Sequence, residues 1–305
     1  MFECNLCHCS FLSEKGLHSH LTRKEKILKS DYYHTFYPRV DLYTKQLLKF
    51  KDREQYFNSF FNSKDNLVNW FRENYNTSEA KQIALEILRY RKESKNLVFA
   101  PSQVELRTID SPTILGLEKI YGSYDAPCVT LNLKRRFGYG DIKLLPAKKI
   151  KVIIDTREQD PMPFENSKVQ KIDVGDYTAG DPDYSDVHIE RKSQSDFFGT
   201  FYSPQNFERF IKEIERAKEF GVYLIVVVER GIDNCLNYKS FFTKDENVTN
   251  HTFYNVRQVM QKYDNCQFVF CRNRDLAREM ILTILSQGES AKKLDWQYLV
   301  DKRII

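Results

Sequence analysis

Apolar positions along the chain fall into two grammars that change near residue 149. Over residues 78–95, Ile83, Ile87, Leu88 and Tyr90 recur near helical spacing behind Ser78, a candidate N-cap, and predict a helix. The rest of the stretch from Phe36 to Pro146 is aromatic-rich but broken into short pieces by Pro101, Pro112, Gly116, Gly122 and Pro127. Beyond it, Val- and Ile-rich runs at 151–154, 169–172, 187–189, 222–228 and 267–270 predict strands. Residues 206–220 predict an amphipathic helix, with Phe207, Phe210, Ile211, Ile214 and Ala217 on one face, Glu208, Lys212, Glu215 and Arg216 outside, and Gly221 as terminator. Further helices over 252–263 and 275–285 give the order β-β-β-α-β-α-β-α, an α/β domain with a mixed sheet. A short capping helix is expected over 294–299.

Composition adds limits rather than identity. With 305 residues at 41% hydrophobic and 14% aromatic, the chain can bury a core and form two or three domains. No run of 18 uncharged apolar residues exists, so a membrane-spanning helix is excluded. The start, Met1-Phe2-Glu3-Cys4, does not resemble an export signal, so the chain is expected in the cytoplasm of a bacterial or phage-infected cell, or in a nucleus, and not outside the cell. Seven cysteines are an odd number, and Cys4, Cys7 and Cys9 crowd the first ten residues while Cys128, Cys235, Cys266 and Cys271 are scattered. That distribution points to metal binding in a reducing compartment, not to a disulfide framework. Charge is asymmetric: residues 1–150 hold 25 Lys and Arg against 17 Asp and Glu, whereas the remainder holds 22 against 25. A basic first half suits a polyanion.

Residues 1–35 are too few to build a core without a staple, and the cysteines supply one. The run Phe2-Glu3-Cys4-x2-Cys7-x3-Phe11-x5-Leu17-x2-His20 has the spacing of a Cys2His2 zinc finger, in which a hairpin offers two thiolates and a helix an imidazole. The second His is missing, with Lys24, Glu25 and Lys26 in its place. Glu25 can supply an oxygen as the fourth Zn²⁺ ligand, and His34, His18, Cys9 and His8 are the other donors within the unit's reach. A single finger reads only about three base pairs, so any DNA role is auxiliary.

The densest chemistry lies later: Asp155-x-Arg157-Glu158, then Gly175-Asp176, then Glu190-Arg191-Lys192-x3-Asp196. Hydrolysing a phosphodiester takes carboxylates to hold a divalent ion and a cation against the developing charge. In a strand, Glu190 and Lys192 lie two apart and share a face, while Arg191 points away. This is the arrangement of PD-(D/E)XK nucleases.

The spacing Gly175-Asp176, Glu190-Arg191-Lys192, Asp196 resembles the GDx(n)ERKx3D signature of XPF-type structure-specific endonucleases, over roughly residues 149–285. The resemblance implies a restriction-endonuclease-like nuclease domain over 148–305, beside a zinc-finger-like unit at 1–35 and an α+β middle region at 36–147. It implies that Asp176 and Glu190 bind Mg²⁺ or Mn²⁺, that Asp155 is a further acidic ligand or a water contact, and that Lys192 orients the water or stabilises the transition state. Arg191, Asp196, Glu158 and Arg157 would complete the surroundings, with Arg191 and Asp196 as one candidate ion pair, and Arg209 would face a phosphate or buttress the site. Members of that family pair as dimers, which implies a homodimer or a nuclease-like partner subunit. The implied substrate is branched, flapped or junction DNA, in repair, recombination or replication; the alternatives are a non-catalytic DNA-binding scaffold, or a nuclease acting on RNA or plain duplex.

Helix-hairpin-helix modules usual in that family have no room in the twenty residues after Leu285, so DNA contact is expected elsewhere. Lys134, Arg135 and Arg136 beside Phe137 and Tyr139 read either as a phosphate-and-stacking surface or as a basic loop, and Lys148, Lys149 and Lys151 as a second cluster or a linker.

Overall fold

The computed structural model describes residues 1–145, 150–239 and 247–305 and, of Asp183, the backbone alone. The described residues form two compact units. The first comprises Met1–Asn96 with Ile109–Pro112 and Gly116–Gly122, the second Leu97–Thr108, Thr113–Leu115 and Ser123–Ile305.

The first unit begins with an antiparallel hairpin, β1 (Phe2–Glu3) and β2 (Ser10–Phe11), followed by α1 (Glu14–Arg23), α2 (Lys29–Phe36), α3 (Arg53–Asn58), α4 (Lys64–Asn74) and α5 (Ser78–Lys95). Cys4, Leu17, Leu21, Tyr32, Tyr33, Leu48 and Tyr56 make one buried cluster, so the core that starts at the hairpin continues well past residue 35. Helix α5 spans the residues expected, but its cap is Thr77, whose extended backbone lets the hydroxyl accept the Ala80 N–H. Ser78 is already the first helical residue.

Division of the middle region differs from the sequence expectation for a local reason. Residues 97–108 carry α6 (Gln103–Arg107), closed by a reciprocal Ser102–Glu105 capping box, and are tied to the second unit. The Gln103 N–H donates to Asp295 at 2.8 Å, and Arg107 pairs with Asp301 at 2.8 Å. Helix α7 (Ile114–Tyr121) belongs in part to each unit, and α8 (Asp125–Thr130) to the second. The expected boundary at 147, with Lys148 and Lys149, lies outside the described residues.

Six strands build the second unit: β3 (Val152–Ile154), β4 (Ser167–Val169), β5 (Tyr177–Ala179), β6 (Val187–Lys192), β7 (Tyr223–Val228) and β8 (Cys266–Phe270), in the order β4-β3-β5-β6-β7-β8. The β3–β4, β6–β7 and β7–β8 pairs are parallel and the two around β5 antiparallel, which is the mixed sheet expected. Every residue of β7 is buried, as a continuous Val/Ile run in a two-sided sheet should be. Leu224, Val226 and Val228 share a core with Phe197, Phe198 and Phe201 of α9 (Gln194–Tyr202), Phe210 and Ile214 of α10 (Pro204–Glu219), and Phe253 and Val256 of α12 (Val248–Lys262). Helix α11 (Ile232–Leu236) adds Ile232 and Cys235 to it. Helix α13 (Arg274–Ser286) contacts β5, β6 and β7, and α14 (Trp296–Asp301), the expected capping helix, contacts β8.

Two elements escape the periodicity reading. Strand β5 is only three residues long, and α9 hides its apolar 197/198/201 face inside the motif that follows Lys192. The expected strand at 169–172 lies earlier, at 167–169, because the Ile172 N–H is taken by the Asp155 carboxylate instead of a ladder.

Candidate active site

Strand β6 carries Glu190 and Lys192 on one face, and the Lys192 ammonium donates to Glu190 Oε1 at 2.8 Å. The same Nζ lies 5.7 Å from the centre of the Phe210 ring of α10. Asp176 approaches from the turn before β5. Its N–H donates to the Ile189 carbonyl at 2.7 Å, and its Oδ2 accepts the Arg191 N–H at 2.7 Å. Gly175 makes that approach feasible: its φ is +72°, and a Cβ there would lie 2.8 Å from the Ile189 oxygen.

Proton affinities reflect this crowding. Burial, followed by the nearby Glu190 charge, pushes the Asp176 carboxyl up to about 8. Burial also pushes Glu190 up, against the pull of Lys192. Lys192 is raised although burial alone would lower it, because Glu190, Asp176 and Glu213 hold its proton. Two partly buried carboxylates of raised proton affinity beside one ammonium are the oxygen-donor chemistry that a hard divalent cation fits.

Other residues singled out in the sequence have different tasks. Asp155 is spent internally: Oδ1 accepts the Arg157 N–H at 2.8 Å and Nε at 2.6 Å, and Oδ2 accepts the Ile172 N–H at 2.8 Å. Burial would raise it, but these donors more than offset that and hold it below the usual carboxylate range. Among the described residues no set of three donor atoms from Asp155, Asp176 and Glu190 lies within 4.8 Å of one another, and in this arrangement Asp155 braces the loop after β3. Arg157 closes that brace through Ile172 O at 3.0 Å.

Arg191 points away from Glu190 and Lys192 as expected, but its partner is not Asp196. Its guanidinium is gripped by Glu158, at 2.9 Å, and by Glu229 at the end of β7, at 3.1 Å. Glu229 also binds Arg274 of α13 at 2.9 Å, which reaches Asp160 at 3.1 Å. The chain of charges Glu158–Arg191–Glu229–Arg274–Asp160 therefore fixes the back of the site. Asp196 is exposed in the first turn of α9, where Ser193 is the N-cap: the Ser193 hydroxyl accepts the Asp196 N–H at 3.2 Å and lies 2.6 Å from its carboxylate.

The basic residues divide as well. Arg209 is exposed on α10, one turn before Glu213, and Lys134 is exposed. Arg135 is half engaged, pairing with Asp125 at 2.5 Å with its side chain 41% exposed. Arg136 is turned inward. Its guanidinium donates to the carbonyls of Met260, of Asp264 at 3.2 Å and of Cys266 at 2.9 Å, closing the turn from α12 to β8. Phe137 is buried and the Tyr139 hydroxyl bonds Asp295 at 3.1 Å, so neither ring is available to stack on a base.

In the first unit, Cys4, Cys7, His20 and Glu25 bring one donor atom each to within 4.8 Å of one another. Cys7 Sγ lies 3.2 Å and Glu25 Oε1 3.0 Å from His20 Nε2. Of the other donors considered, His18 faces Tyr33 at 2.9 Å, His8 faces Glu3 at 2.9 Å, and neither they nor His34 or Cys9 join the group. All seven cysteines are unpaired. Two thiolates, an imidazole and a carboxylate at tetrahedral-site spacing fit Zn²⁺.

Glu213 of α10 belongs to no sequence motif, yet its Oε1 accepts the Gly175 N–H at 3.3 Å, and its charge acts on both Glu190 and Lys192. In the sequence it is one more Glu on a charged helix face; only its place at the border of the buried Phe210–Ile214–Ala217 stripe sets it apart.

Residues 154–284 match the family model described as ERCC4 domain, which supports an XPF-type nuclease domain over that stretch. No curated protein matches the chain. Among solved structures, "XPF from Aeropyrum pernix" is similar over 49% of this chain and 71% of that one, at 17% identity and a TM-score of 0.34. The mixed sheet with helices on its faces is the restriction-endonuclease-like arrangement that the family match implies. Among the described residues no helix is long and apolar enough to cross a membrane.

Proposed function

We propose that the chain is a divalent-metal-dependent endonuclease that cuts branched, flapped or junction DNA. The observation that carries this is the Glu190–Lys192 pair at 2.8 Å on one face of β6, with Asp176 beside it, its carboxyl raised to about 8 by burial and by the Glu190 charge. Asp176 and Glu190 would hold Mg²⁺ or Mn²⁺, which when bound polarises a phosphate and makes a water more acidic. Lys192 keeps its proton at the buried face, so it offers charge and a hydrogen-bond donor to a phosphate oxygen as negative charge develops. Glu158, Glu229 and Arg191 hold β6 in place from behind. Exposed Arg209 and Lys134, and Arg135 when it leaves Asp125, contact backbone phosphates. Cys4, Cys7, His20 and Glu25 hold a structural Zn²⁺. A second copy or a nuclease-like subunit pairs with the nuclease unit, and the unpaired thiols fit a cytoplasmic or nuclear setting.

The test is incubation of the full chain with labelled flap, four-way junction, plain duplex and RNA hairpin in Mg²⁺, in Mn²⁺ and in EDTA, beside Glu190→Ala and Lys192→Ala. Branched DNA should be cut only with metal, and each variant should lose on the order of 100-fold or more in rate. No cutting by the wild type, or full activity in Glu190→Ala, would overturn the assignment; preference for the hairpin or the duplex would replace the substrate.

A further inference from the structure

We infer that Glu213 is a positioning residue that clamps the turn delivering Asp176. That turn is pressed against β6 by Gly175, whose φ of +72° leaves no room for a Cβ beside the Ile189 oxygen. Two hydrogen bonds hold it from the strand side, Asp176 N–H to Ile189 O and Arg191 N–H to Asp176 Oδ2, both at 2.7 Å. The Gly175 N–H faces α10, and Glu213 Oε1 accepts it at 3.3 Å. A charged acceptor makes such a bond stronger than a neutral one would.

Helix α10 thereby supports both arms of the site. Phe210 lies under the Lys192 ammonium, and Glu213, three residues on and so on the same side of the helix, takes the Gly175 N–H. Glu213 is 25% exposed, and its nearest cation, Arg216, is at 4.0 Å, so its carboxylate is not committed to a tight ion pair. With the clamp in place, Asp176 stays within reach of Glu190; without it, the turn is held from the strand side alone. Supporting residues of this kind commonly change metal affinity or activity by about 10- to 100-fold.

The consequence for cleavage rests on the nuclease reading, but the clamp can be read without it. In the full chain labelled with ¹⁵N-glycine, which gives eleven signals, amide exchange at Gly175 is compared among wild type, Glu213→Ala and Glu213→Gln. Exchange should be about tenfold faster in Glu213→Ala, whereas Glu213→Gln, which keeps an acceptor oxygen, should stay within about threefold of wild type. Mn²⁺ affinity, followed by electron paramagnetic resonance, should fall by about tenfold or more in Glu213→Ala and be rescued in Glu213→Gln, with kcat at fixed metal falling and KM for DNA unchanged. Unchanged Gly175 exchange in Glu213→Ala, or a Gln variant as loose as the Ala variant, would overturn the clamp. A tight Gly175 amide that Glu213→Ala loosens, in a chain that cuts no DNA, would leave the clamp standing and remove the nuclease reading.

Discussion

Asp176 is the residue at which folding and function pull in opposite directions. Its carboxyl holds a proton in the native state up to about pH 8, while an unfolded Asp releases it near 3.9. A group with a raised native pKa contributes stability that is fully present below its unfolded pKa; that contribution falls as pH rises and is gone above the native value. Metal-free protein should therefore lose stability at this position between about pH 4 and pH 8. Asp176→Asn cannot ionise and keeps an oxygen for the Arg191 N–H. Its denaturant midpoint should match wild type near pH 4 and exceed it by on the order of 1 kcal/mol or more at pH 8. Adding Mg²⁺ should stabilise the wild type and leave the variant unmoved, because only a native state that binds the ion gains from it. A pH-independent gain, or a loss at pH 8, would contradict this account.

Among elements, the turn from α12 to β8 shows a basic side chain turned inward. Arg136 donates to three carbonyls there, Met260 in the last turn of α12, where a helix leaves such groups without partners, Asp264 in the loop and Cys266 at the start of β8. Arg136→Ala should cost about 2 kcal/mol in urea unfolding, as expected for lost hydrogen bonds to a charged donor, while leaving the salt slope of DNA binding unchanged. A shallower slope with intact stability would return Arg136 to the DNA surface. The contrast explains what the sequence could and could not disclose. Helix α5 and the shared face of Glu190 and Lys192 follow from local periods of 3.6 and 2, so they were legible. The internal work of Asp155, the Arg191–Glu229 grip and the place of Glu213 depend on contacts across 17, 38 and 38 residues, which no local period encodes. The inward turn of Arg136 is hidden for the same reason: a basic triplet looks alike in sequence whether it faces phosphate or carbonyls. The fourth member of the donor cluster lay in between, since Glu25 stands where a His was wanted, but only the fold separates it from His18, His34, His8 and Cys9.

At the scale of the whole molecule, the two units are stabilised by different means. The second buries an all-apolar strand, β7, inside a six-stranded sheet and contains none of the four clustered donors. The first has Cys4 itself in its core, beside Leu17, Tyr32 and Tyr33, so an ion on that cysteine is joined directly to the packing of α1 and α2. Binding energy at a structural zinc site is folding energy, and its removal should be felt throughout that core. The chain holds two tryptophans, and each unit has one: Trp70 on α4 is 8% exposed and Trp296 on α14 is fully buried. In Trp296→Phe, which reports Trp70 alone, a zinc-selective chelator should shift the emission to the red and lower the melting midpoint by about 10 °C or more, equivalent to a few kcal/mol. In Trp70→Phe the Trp296 emission and its melting midpoint should stay within about 2 °C of the untreated value, because nothing the chelator removes supports that core. Glu25→Ala should show the chelated behaviour at lower chelator concentrations, since three ligands hold the ion less well than four. If both tryptophans respond together, the two units fold as one, and zinc reaches the nuclease core through the first.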